Sequence, residues 1–81
     1  MHANDQRAMD MWRNLSHRER EVLSCLMKGM RNEEIAAQWK TVHSNISNVI
    51  DRACAKLNVF NRVELGIVIA EHPLLRKKLS E

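Results

Sequence analysis

Ser44, Ser47, Asn48 and Asp51 fall at i, i+3, i+4 and i+7, so a helix through them carries all four on one side. An asparagine amide donates and accepts at once and matches the edge of adenine. A serine hydroxyl serves base edges and phosphates alike, and a carboxylate accepts from a cytosine amine. Around them stand Lys40, Arg52, Lys56 and Arg62. Between residues 40 and 62 these four cations meet one carboxylate, Asp51, and the net of +3 equals the excess of the whole chain. Arg31 and Lys28 extend the positive rim. Together these residues have the chemistry to read a base edge while neutralising phosphate. The same residues also describe the ordinary solvated face of a basic helix.

Other chemistries find little support. No nucleophile has a placed base, and there is neither a carboxylate pair nor a phosphate-cradling loop, so the chain does not read as an enzyme. His2, His17, His43 and His72 do not repeat at ligand spacing, and no metal or cofactor is expected. Cys25 and Cys54 are isolated and read as small buried hydrophobes, a disulfide or metal role being the weaker reading. No apolar run is long enough to span a bilayer, and the polar start MHANDQRAMD lacks the apolar segment of a signal peptide. A cytoplasmic protein is expected.

The elements that position the polar face follow from composition and period. Eighty-one residues make one domain, close to the size at which a single core just sustains folding. Two glycines and one proline leave little material for sheet turns. The aromatics are Trp12, Trp39 and Phe60, so the core is mostly aliphatic, with methionines filling gaps. Ser16-His17-Arg18-Glu19 is a capping box, after which Val22, Leu23, Leu26, Met27 and Met30 recur at helical spacing up to a stop at Gly29. Asn32 is read as the next cap, with Glu33 and Glu34 in the first turn and Ile35, Ala36 and Trp39 as the buried stripe. A third helix buries Ile46, Val49, Ile50, Ala53 and Leu57 and ends at Asn58 in a left-handed conformation. Asn61 with Glu64 caps a fourth, whose Leu65, Ile67, Val68 and Ile69 exceed the needs of one buried stripe. The result is an all-α, compact four-helix domain over residues 15–72, with helices at about 17–29, 33–39, 43–57 and 62–71. Residues 1–14 are expected as a polar leader with at most a short amphipathic turn. Residues 73–81 are expected as a basic tail after the break at His72-Pro73.

The order of these residues resembles the LuxR-type (LuxR/FixJ) helix-turn-helix family. Leu15-Ser16 and Arg18 to Leu23 match its opening L-[ST]-x-R-E-R-E-V-L. Gly29, Asn32, Glu34, Ile35 and Ala36 match the block G-x-[ST]-N-K-E-I-A. Lys56-Leu57, Val59, Asn61-Arg62 and Glu64-Leu65 match the closing I-x-x-K-L-G-V-x-x-R-x-E-L. The resemblance covers about fifty residues and implies a helix-turn-helix at about 33–52 whose last helix enters the major groove of double-stranded DNA. On that footing Lys40, His43, Ser44, Asn45, Ser47, Asn48, Asp51, Arg52, Lys56 and Arg62 are the DNA-contact set. It also implies a homodimer through the closing helix, with Leu65, Val68, Ile69 and His72 at the interface. Met1 and the polar leader favour a stand-alone transcription regulator over an excised fragment.

The departures from the pattern cluster where DNA would be read. Lys40 stands where the family has glycine in the turn, a position that costs a non-glycine residue a left-handed backbone or reshapes the turn. Val42 replaces a serine cap, so capping is expected to move to Thr41 or Ser44. Asn45-Ile46-Ser47 replaces Thr-Val-Lys, Val49 replaces histidine, and Asp51 brings a negative charge towards phosphates. These departures keep a second reading open: a protein-binding module with weakened DNA reading. Such a module would act as an antiactivator or mixed-dimer partner of a LuxR-type regulator. Beside duplex DNA and a second copy of the chain, another LuxR-type regulator or RNA polymerase is an expected partner.

Overall fold

The computed structural model describes residues 3–81 and contains six helices and no strand among them. They are α1 (Ala3–Asn14), α2 (His17–Met27), α3 (Asn32–Gln38), α4 (His43–Lys56), α5 (Arg62–Glu71) and α6 (Pro73–Ser80). The four expected helices are α2 to α5, with ends shifted by no more than two residues. α4 packs against α2, α3 and α5, while α6 lies along α1 and touches α2 and α5.

Three helix ends are closed by the same device. Gly29, Lys40 and Asn58 adopt φ of 82°, 55° and 60°, and the amide that follows each bonds back to the last turn. Met30 N–H donates to the Cys25 carbonyl (3.1 Å), Thr41 N–H to Ala36 (2.9 Å) and Val59 N–H to Cys54 (2.9 Å). This is the Schellman closure, which turns the chain sharply while satisfying two orphan carbonyls. Lysine therefore takes the left-handed position outright, and the turn is not reshaped.

Helix starts are more varied. Ser16 Oγ accepts from Glu19 N–H (3.1 Å) and Ser16 N–H donates to Glu19 Oε1 (2.8 Å), completing the expected box. Asn61 Oδ1 accepts from Glu64 N–H at 2.9 Å. Asn32 does not cap α3. The cap residue is Arg31, whose N–H donates to Glu34 Oε1 (2.9 Å), and Asn32 is thereby freed for contacts outside the helix. Capping of α4 moves to neither Thr41 nor Ser44. Val42 is the cap residue, and it offers no side-chain acceptor.

From Ala3 onward the expected leader is a helix, as is the expected tail, and Met1 and His2 lie outside the described residues. α1 places Ala8, Met11 and Trp12 at helical spacing, continued by Leu15 just past its end, with Ala8 and Leu15 buried and the other two packed against the core. Pro73 occupies the first turn of α6, where its missing N–H costs nothing, so it starts a helix instead of ending the fold. Leu75 and Leu79, four residues apart, are 0% and 2% exposed. The basic residues Arg76 and Lys77 are simply the outer side of a core helix.

Candidate nucleic-acid interface

α4 is amphipathic in the expected sense. Ile46, Val49, Ile50, Ala53 and Leu57 are buried, joined by Cys54, while Ser44, Asn48, Asp51 and Ala55 face solvent and Ser47 is half-buried. His43 and Asn45 are also exposed, the latter donating from Nδ2 to Thr41 Oγ1 at 2.7 Å. Val49 is thus a core residue, so the family's histidine position is spent here on packing.

One flank of this face is tied to its neighbours by polar contacts. Arg62 Nη1 donates to Asn32 Oδ1 (3.0 Å), and Asn32 Nδ2 donates to Ser47 Oγ (3.3 Å). α5, α3 and α4 are linked through these side chains, and Arg62 is held at the edge of the polar face. Nothing in the sequence pattern singles out Asn32 for this role, because its type suggested a cap. On the opposite flank Arg18, Trp39, Thr41, Asn45, Asn48 and Arg52 line a shared cleft.

Lys56 has a different position. Its Nζ donates to Glu19 Oε1 at 2.8 Å, and Glu19 is only 4% exposed. Burial alone would push this carboxyl up, but the Lys56 hydrogen bond, the Ser16 N–H and the Lys56 charge outweigh it and hold it below its ordinary 4.5. Glu19 therefore joins a capping box to an interhelical ion pair, and Lys56 is engaged inward. On the surface of α2, Glu21 Oε1 lies 2.6 Å from His17 Nε2, one turn away.

Among the described residues Lys28, Arg31, Lys40, Arg52 and Arg62 are exposed and have no carboxylate within ion-pair distance. Of these, Lys40 precedes α4, Arg52 lies on it and Arg62 is held at its edge. Unpaired cations thus border the polar face of α4, with Asp51 as the exception within it, while Lys28 lies apart, beside Gln38 and Lys78. Cys25 and Cys54 are free and buried. Burial, then the Asp51 and Glu64 carboxylates, pushes the Cys54 thiol up, away from the reactive thiolate.

The residues expected at a dimer interface divide. Leu65 and Ile69 lie in the core, Val68 is half-buried, and His72 sits half-buried between α5 and α6, its Nδ1 without a hydrogen-bond partner among the described residues. The apolar surface lies elsewhere on the same segment. Phe60, Val63 and Ile67 are 93%, 74% and 52% exposed.

The short α3 and the longer α4, joined by a Schellman turn, with an outward polar face flanked by unpaired cations, define a helix-turn-helix domain. The chain belongs to the luxR family of bacterial regulatory proteins, whose family model matches residues 13–69, and it is a DNA-binding domain of that type. It is 37% identical over 57 residues to the response regulator Rre1 of Synechocystis, covering 70% of this chain and 25% of that protein. It is 35% identical over 75 residues to the response regulator protein VraR of Staphylococcus saprophyticus, covering 88% of this chain and 34% of that protein. The chain thus corresponds to about a quarter to a third of the relatives it matches. No solved structure gives a significant match. No helix among the described residues is long and apolar enough to cross a membrane.

Proposed function

We propose that this domain is a transcription regulator that reads the major groove of duplex DNA with α4. Ser44, Asn45, Ser47, Asn48 and Asp51 address base edges, and Lys40, His43, Arg52 and Arg62 address phosphates. The observation that carries this reading is the division of α4 itself: an aliphatic side buried against α2, α3 and α5, and a polar side left to solvent between unpaired cations. Lys56 supports the reading indirectly, by fixing α4 to Glu19 on α2. The uncapped amino end of α4 fits the same proposal, since free helix-terminal amides favour a phosphate.

A homodimer belongs to this reading. Val63 and Ile67, one helical turn apart on α5 with Phe60 just before it, are the exposed apolar residues that support it. The substitution that tests the dimer is Ile67→Glu, since Ile69 is a core residue. Light scattering is expected to give a dimer for the wild type and a monomer for the variant at the same melting temperature. An unchanged mass counts against this face.

The function itself is tested by anisotropy titration of a labelled mixed-sequence duplex at low and physiological salt. Binding that weakens steeply with salt is expected. No binding even at low salt removes the DNA reading. With dimerisation intact, that result would favour the partner module suggested by Asp51, Ser47 and the Phe60–Ile67 surface.

A further inference from the structure

We infer that Arg18 is a phosphate-binding residue, held by Trp39 beside α4 to seat one phosphodiester of the duplex that α4 reads. The inference rests on the DNA-reading proposal above. Two arginines of α2 lie over tryptophan rings, and the difference between them carries the assignment. The Arg20 guanidinium stands 4.1 Å from the Trp12 ring centroid, and its Nε and Nη2 both donate to the Trp12 carbonyl, at 3.0 and 2.6 Å. Two of its five donors, one edge of the fork, are thus engaged within the protein, where they tie α1 to α2. The Arg18 guanidinium stands 4.3 Å from the Trp39 centroid, yet no acceptor or carboxylate among the described residues engages it. Stacking fixes the plane of the fork while its N–H donors stay unused.

The position of Arg18 is otherwise unfavourable. It lies in the first turn of α2, where the helix dipole disfavours a cation. Its surroundings supply the reason to keep one there. Arg18 shares a cleft with Arg52, Thr41, Asn45 and Asn48, and no carboxylate lines it. Two guanidiniums beside neutral hydrogen-bonding groups select an anion, and a planar fork matches the two free oxygens of a phosphodiester. Asn48 belongs both to this cleft and to the outward face of α4, so a phosphate seated here lies directly beside the bases being read. Arg62 stands on the other side of α4, where Asn32 links it to Ser47. The reading helix then has a phosphate seat on each flank.

The test uses the full chain and a labelled mixed-sequence duplex, with affinity measured across a salt series for wild type, Arg18→Gln and Arg18→Lys. Arg18 is exposed, and melting curves first check that both variants fold as the wild type does. Arg18→Gln is expected to bind roughly tenfold more weakly on every duplex, with the slope of log affinity against log salt reduced by about one. Arg18→Lys is expected to restore the slope and only part of the affinity, because lysine lacks the fork. Wild-type slope and affinity in Arg18→Gln would overturn the inference, as would a loss of affinity with the slope unchanged. Failure of the wild type itself to bind DNA would instead remove the reading on which the inference stands.

Discussion

Glu19 shows how one side chain serves two levels of structure. Its Oε1 closes the α2 capping box and receives the Lys56 ammonium from the end of α4. Because hydrogen bonds and charge hold its carboxyl below 4.5, the unfolded chain takes up this proton before the native state does. The contact therefore contributes its full stability above about pH 4.5, and the contribution is lost as pH falls through the lower native value. Glu19→Gln is expected to destabilise the domain at pH 7 by about 2 kcal/mol, discounted from a fully buried pair because the Lys56 side chain is 35% exposed. In urea titrations from pH 7 to pH 3 the variant should lose less stability than the wild type. Parallel losses would show that Glu19 is not the titrating group. The capping half of this arrangement is legible in the spacing of Ser16 and Glu19. The Lys56 half is not, since thirty-seven residues separate the partners and only the fold brings them together.

At the scale of elements, the helices from α2 to α5 are readable because each has an apolar stripe at helical spacing, even though the starts of α3 and α4 use Arg31 and Val42 and not the expected caps. α1 and α6 are less legible. α1 buries its stripe around Ala8, a residue too small to stand out in a polar stretch, and α6 follows a proline that reads as a stop. Leu79→Ala checks the second point. A core leucine is expected to cost about 2–4 kcal/mol, whereas a leucine on a tail would cost almost nothing in the same denaturation curve. The start of α4 offers the opposite change. Val42 has extended backbone suited to a cap and is 59% exposed, yet its side chain accepts nothing. Val42→Ser should raise stability by about 1 kcal/mol, and no gain would mean that the α4 amides already find a partner.

For the whole molecule, the family and the helix-turn-helix are written in the ordered blocks from Leu15 to Leu65, whereas the working surface is not. Sequence spacing identified the outward face of α4 but not the inward engagement of Lys56, the Arg62–Asn32–Ser47 link, the stacking of Arg18 on Trp39 or the burial of Leu65 and Ile69. Each of these depends on which neighbour a helix meets, and periodicity within one helix carries no such information. The domain exposes Phe60, Val63 and Ile67 at and around the start of α5, a different element from the one that carries the polar face. The claim on which this account depends is that α4 presents its outer face to a duplex. Asp51 lies on that face without a cation within ion-pair distance among the described residues, so its charge reports directly on what approaches. Affinity of Asp51→Lys for a mixed-sequence duplex, measured beside wild type at low salt, is the most direct test. With α4 facing a duplex, roughly tenfold or greater tightening and a steeper salt dependence are expected. Equal affinity and equal slope would contradict that arrangement.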